Sequence, residues 1–213
     1  MISSLFCSST RGFAAVLAIG LMAAPAGAAT VLTFEPESAL GNDLEINDNY
    51  GDNVSANVQG GFEYDGEADT PNVTVEYTGL KAYTGSYGDL ARVAYLDAVS
   101  SVTFTADPGF VLTLNSLDLA GYDGAATLDE ITVTGVTSPF AQSAIAAPAT
   151  GHNTVNVGVT GSTLTLNFAD SSGGLVGVSN ISFSQSAAAV PEPTAVALVG
   201  MAGVGLLARR RRI

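Results

Sequence analysis

The chain has 213 residues, with seven Lys and Arg against twenty Asp and Glu, a formal charge of −13, and one cysteine, Cys7. So acidic a molecule repels nucleic acid and anionic lipid headgroups, which excludes a nucleic-acid function. A single cysteine excludes intrachain disulfides and cysteine-ligated zinc.

The N-terminus reads as an export signal. Arg11 precedes an apolar stretch from Phe13 to Met22, followed by small residues in which Ala26-Gly27-Ala28 fits the A-x-A cleavage pattern. The expectation is a signal peptide over 1–28, removed by signal peptidase after Ala28 or one residue later. Cys7 lies before the apolar stretch, so the mature chain has no thiol and no lipid-bearing cysteine.

Residues 29–185 form one domain, large enough for a real core. Between Thr30 and Ser186 nineteen acidic residues face two basic ones, Lys81 and Arg92, a formal charge of −17. Helix-period stretches are lacking, and short alternating or β-branched runs recur between Gly, Asn and Asp. Strands are predicted at 30–34, 54–59, 73–78, 92–96, 101–106, 111–119, 131–136, 154–159, 163–168 and 176–184. Val102, Phe104 and Ala106 alternate with Ser101, Thr103 and Thr105; Leu164, Leu166 and Phe168 alternate with Thr163, Thr165 and Asn167. Asp107-Pro108-Gly109, Asp123-Gly124 and Thr160-Gly161-Ser162 supply turns. Short strands at this spacing predict an all-β, antiparallel β-sandwich. Residues 36–53 are expected to leave the sheets, 138–150 to form a second loop, and 186–190 to be a linker.

Three polar features bear on function. The stretch from Gly41 to Asn53 is dense in carboxylates and amides, the ligands Ca²⁺ prefers, with Asp43, Asp48 and Asp52 as candidates. It lacks the EF-hand spacing, and the alternative is an Asx-rich loop that caps its own backbone. Second, Tyr50-Gly51-Asp52, Tyr87-Gly88-Asp89 and Gly121-Tyr122-Asp123 repeat an aromatic beside a carboxylate. Such a pair suits glycans, the ring stacking on C–H faces and the carboxylate accepting from hydroxyls, so Tyr50, Asp52, Tyr87, Asp89 and Tyr122 are candidates; Tyr-Gly-Asp is equally a good turn. Third, the only histidine, His152, has no acid nearby in sequence and is expected in an exposed loop. With no G-x-S-x-G elbow, phosphate loop or zinc spacing, the expectation is a protein without enzymatic activity.

The C-terminus is tripartite. Pro191-Glu192-Pro193 precedes an apolar run of fifteen residues, Thr194 to Ala208, and then Arg209, Arg210, Arg211 and Arg212. Four arginines hold the end of an apolar helix on the cytoplasmic side. The run is shorter than the roughly twenty residues of a comfortable span, and Gly200, Gly203 and Gly205 weaken it. This arrangement resembles the PEP-CTERM sorting signal of bacterial surface and exopolysaccharide-associated proteins. The resemblance implies that an exosortase recognises Pro-Glu-Pro and removes a hydrophobic helix (194–208) and basic tail (209–212), so the membrane is a transient partner. A retained single-pass anchor is the alternative. The PEP-CTERM resemblance implies export, an inner-membrane intermediate, and then the cell envelope or extracellular matrix.

The opening strand Val31-Leu32-Thr33-Phe34-Glu35 and the closing strand Leu175 to Phe183 resemble those of jelly-roll, galactose-binding-like modules. That likeness implies that the two strands lie side by side. Related closing strands carry Asp-Asn-Ile where this chain has Ser179-Asn180-Ile181, one carboxylate fewer for calcium. The function expected is a structural or adhesive component of the cell surface or exopolysaccharide matrix. The alternative is a lectin-like module binding extracellular polysaccharide, with calcium as the cofactor it would use.

Overall fold

The computed structural model describes residues 28–189, Thr137 excepted. The strands are β1 (Ala29–Glu35), β2 (Leu44–Glu45), β3 (Val58–Gln59), β4 (Phe62–Gly66), β5 (Val73–Tyr83), β6 (Val93–Ala106), β7 (Phe110–Gly121), β8 (Ala126–Thr134), β9 (Phe140–Ala147), β10 (Asn153–Gly161), β11 (Thr163–Ala169) and β12 (Val176–Ala187), with one helical turn, α1 (Glu37–Leu40). Apolar–polar alternation determines which side of each strand is buried. In β11 Leu164, Leu166 and Phe168 are buried between more exposed Thr163, Thr165 and Asn167, as period-2 geometry requires.

All pairings are antiparallel. One layer runs β3-β4-β1-β12-β7-β10 and the other β2-β5-β6-β11-β8-β9; short pairing of Gly177 and Val178 with Tyr95 and Ala94 joins β12 to β6. The inner faces meet in one large core, where Phe104 of β6 and Phe183 of β12 lie 5.0 Å apart, centroid to centroid. Each such ring contributes about 1.5–3 kcal/mol by leaving water. The protein is an antiparallel, jelly-roll-like β-sandwich, and its opening and closing strands pair in the register Ala29↔Ser184 to Leu32↔Ile181.

Several boundaries differ from the sequence reading. The predicted strands at 92–96 and 101–106 are one continuous β6, because β5 and β11 line both its edges. The predicted strand at 54–59 is reduced to an isolated Val54–Thr70 bridge and β3, while β4 was not anticipated. Residues 138–150, expected as a loop, contain β9, which gains its backbone partners along β8. Residues 36–53 do leave the sheets, apart from α1 and β2. β12 continues to Ala187 against Phe110, so the domain runs into the expected linker.

Register places both chain ends of the domain together and gathers the functional loops at the opposite end. Gly121 at the end of β7 pairs Val176 at the start of β12, and Tyr95 pairs both Lys81 and Gly177. The segments around Asp43, Tyr87, Tyr122, His152 and Gly174 therefore share one end.

Candidate functional site

The seven tyrosines divide into two groups of opposite character. Tyr50, from the 36–53 segment, packs against Tyr64 and Tyr77. Tyr50 is fully buried, with Phe34, Phe62, Tyr64 and Tyr77 at centroid distances of 5.6, 5.2, 5.3 and 6.2 Å. Its hydroxyl accepts from the Phe34 amide (2.7 Å), and the Tyr77 hydroxyl donates to its carbonyl (2.9 Å). Burial pushes the phenol well above its ordinary range. This corrects the expectation that Tyr50 contacts a glycan: the side chain holds the excursion onto the core. Asp52 likewise turns to the backbone, accepting from the Val75 amide at 2.6 Å.

Tyr83, Tyr87, Tyr95 and Tyr122 form the second group. Tyr83 closes β5 and Tyr95 lies on the neighbouring β6, half-buried beside each other with centroids 6.2 Å apart. Tyr122 follows β7 and is fixed by its amide, which donates to the Leu175 carbonyl at 2.9 Å. It is 40 % exposed, and its hydroxyl accepts from Tyr83 at 3.3 Å. Tyr87 sits in a tight turn closed by mutual backbone bonds with Leu90. Its hydroxyl donates to the Gly174 carbonyl (2.7 Å) and its ring covers Gly177, where a Cβ would lie 2.7 Å from the ring. Tyr87 is thus the buried back wall, and Tyr122 the exposed lip.

These four rings, Asp43, Gly173, Gly174 and Leu175 line a cleft of about 280 Å³. Asp43 comes from the loop before β2, tied by its amide to the Ala82 carbonyl (2.8 Å). Leu175 and Leu44, 45 % and 59 % exposed, add apolar surface beside Tyr122 and Asp43 respectively. Burial raises the Tyr87 and Tyr95 phenols, and the hydrogen bond to Tyr122 raises Tyr83, so these three remain neutral in ordinary conditions. Exposed Tyr122 and half-buried Tyr83 and Tyr95 offer ring surface, and Asp43 supplies a carboxylate acceptor.

Of the candidate glycan residues the structure therefore unites Tyr87 and Tyr122. Asp89 turns away to the Nδ1 of His152 (2.9 Å). His152, expected without an acid partner, lies between Asp89 and Asp118, whose Oδ2 is 3.8 Å from its Nε2. The chain fold brings together residues that are 63 positions apart. Tyr83 and Tyr95 escaped the sequence reading because neither sits in a Tyr-Gly-Asp unit; their signal is pairing of neighbouring strands, visible only once register is known. Asp43, read as a calcium ligand, belongs to this cleft, whereas Asp48 and Asp52 line a separate hollow beside Thr74 and Glu76. Among the described residues no group of three or more His, Cys, Asp or Glu is arranged to hold a metal ion. Ser179, at the position of the family Asp, is buried and donates to the Thr33 carbonyl at 3.4 Å.

A further cleft, of about 160 Å³, collects Glu35, Asp65, Asp89, Arg92 and Asn180. It brings carboxylates together but offers no aromatic face.

Residues 189–212 match the PEP-CTERM protein-sorting motif. The chain carries a PEP-CTERM signal. It is accordingly an exosortase-dependent, surface-directed protein. Pro191, Glu192, Pro193 and Arg209 to Arg212 fall within the match and, with Ala26, outside the described residues; Ala28 is the first residue described. Among the described residues no helix is long and apolar enough to cross a membrane, and the apolar run 194–208 lies outside them. No curated protein matches the PEP-CTERM chain. Solved structures with some similarity include a family 11 carbohydrate-binding module from Clostridium thermocellum in complex with a β-1,3-1,4-mixed-linked tetrasaccharide (10 % identity, 53 % of this chain and 88 % of that one, TM-score 0.32). Others are the GH26-CBM35 β-(1,4)-mannanase of Podospora anserina (18 %, 56 % and 29 %, TM-score 0.31) and a family 29 carbohydrate-binding module mutant (14 %, 54 % and 81 %, TM-score 0.29). At these scores the likeness says nothing about a ligand.

Proposed function

We propose that the domain is a carbohydrate-binding module of the cell surface, delivered by signal peptidase and exosortase processing and held in the extracellular polysaccharide that it binds. The supporting observation is the tyrosine cleft. A purely structural matrix protein needs only a polar, solvated exterior, and nothing in that role gathers four tyrosines at one end of a sandwich. Here Tyr122 and Leu175 remain exposed beside half-buried Tyr83 and Tyr95. Rings facing water are suited to the apolar faces of sugars, and hydroxyls with a carboxylate suit their O–H groups. The volume, about 280 Å³, is at the small end of ligand sites and suits one sugar-sized unit, with the polymer continuing outside.

The test is affinity electrophoresis of the full-length chain through gels containing neutral or amine-bearing polysaccharides, compared with Tyr122→Ala. Retardation by at least one polysaccharide, lost in the variant, is the expected result. Equal mobility of both proteins in every gel would return the domain to the structural, adhesive reading.

A further inference from the structure

The cleft is more specific than a shelf for stacking. Tyr83 stands nearly perpendicular to three neighbours, at 82° to Tyr87, 88° to Tyr95 and 89° to Tyr122. One ring standing across three others, with Tyr87 and Tyr122 tilted at 43° to each other, encloses a corner rather than a flat shelf, whereas a sugar stacked on its flat face needs one open plane. Such corners of aromatic faces attract compact cations, because each ring presents its negative quadrupole inward. The molecule already shows this on one ring: the Lys81 ammonium lies 6.0 Å from the Tyr95 centroid. That charge is matched by Asp97 at 3.4 Å, and no cationic side chain lines the cleft. Asp43 is the one carboxylate among the lining groups, and its charge acts on Tyr83, Tyr87 and Tyr95 alike. Beyond the cleft, the −17 charge of the domain concentrates cations and repels anionic polymers.

We propose that the tyrosine cleft selects glycan units carrying a protonated amine, with the ammonium among the four rings and paired with Asp43. This rests on the carbohydrate reading above and names its substrate class: amino sugars with a free amine, in preference to N-acetylated, neutral or uronate-bearing units.

The experiment titrates the full-length chain with three oligosaccharides of equal length: a glucosamine oligomer, its N-acetylated counterpart and an oligouronate. The expected result is binding of the glucosamine oligomer at least tenfold tighter than the N-acetylated one, and no binding of the uronate. Asp43→Asn is the diagnostic variant, because asparagine accepts the positive φ of 56° at this position. It should reduce the preference to below about threefold, the glucosamine oligomer losing several times more affinity than the N-acetylated one. Removing one of nineteen carboxylates barely alters the overall field. A tenfold preference that survives Asp43→Asn would therefore mean bulk attraction and overturn the assignment. Equal affinity for the acetylated and free-amine oligomers in the unaltered chain would overturn it too, with the carbohydrate reading intact. Failure of all three, together with every neutral polysaccharide, would remove both.

Discussion

Tyr50 and Tyr122 stand in nearly the same local sequence and have opposite surroundings, one sealed among aromatic rings and one open to water. Their substitutions should separate accordingly. Tyr50→Phe removes the acceptor of the Phe34 amide and should cost about 1–3 kcal/mol, read as a lower denaturant midpoint, with glycan affinity unchanged. Tyr122→Ala should do the reverse: glycan affinity falls about tenfold, or about 1.4 kcal/mol, and the unfolding midpoint moves little. A tyrosine beside Gly and Asp could not distinguish them, since a turn accepts Tyr50-Gly51-Asp52 or Gly121-Tyr122-Asp123 whether its ring is covered or not. What separates them is the surroundings of each ring. Tyr50 turns inward from the 36–53 excursion onto Phe34, Phe62, Tyr64 and Tyr77, whereas Tyr122 follows β7 at the open end of the sandwich.

The segment between β5 and β6 acts as the frame of the cleft. Its turn fits only because Gly88 lacks a side chain: a Cβ there would lie 2.1 Å from the Gly151 carbonyl oxygen, and φ is +55°. Gly88→Ala should shift Tyr87 and lower both stability and glycan affinity, measured by denaturation and titration on one preparation. The same segment is clipped to the loop before β10 by His152 and Asp89. The Asp89 hydrogen bond raises the His152 pKa, with burial opposing and the Asp118 charge adding. Since the folded value is raised, this stabilisation is complete below the unfolded value of 6.5 and is lost as pH rises through the folded one. Both side chains are more than a third exposed, so its size is below about 1 kcal/mol. The stability difference between the unaltered chain and His152→Gln should accordingly shrink between pH 6 and pH 8.5; a difference constant with pH would show that the pair is not coupled to folding. At this scale the strands with clean alternation were legible, β11 above all. β9 was not, because Phe140-Ala141-Gln142-Ser143-Ala144-Ile145-Ala146-Ala147 buries only Ile145 and Ala147 and has little β-propensity. Its pairing with β8, not its composition, makes it a strand.

As a whole the molecule combines one sandwich with a sorting signal, and the two should be separable. Replacing Glu192-Pro193 by Ala-Ala should block processing and change the protein's destination while thermal unfolding of the domain is unchanged. Unfolding curves with excess Ca²⁺ and with EDTA should superimpose, since Asp43 faces the tyrosines and Asp52 is held by the Val75 amide; a rise of more than a few degrees in calcium would assign a metal site instead. Fold class was readable from alternation and turns, and the sorting motif from Pro191-Glu192-Pro193, the apolar run and the arginines. The tyrosine cleft was not, for it is assembled from β5, β6 and four loops whose meeting depends on register. β12 carries a last consequence. Its first residue, Val176, adjoins the cleft, and its last, Ala187, lies three positions from the pairing of Ser184 with Ala29 and two before the sorting motif. Twelve extended residues span roughly 36 Å. The strand is thus a mast: it sets the cleft about one sandwich length from the end of the domain where the sorting motif begins.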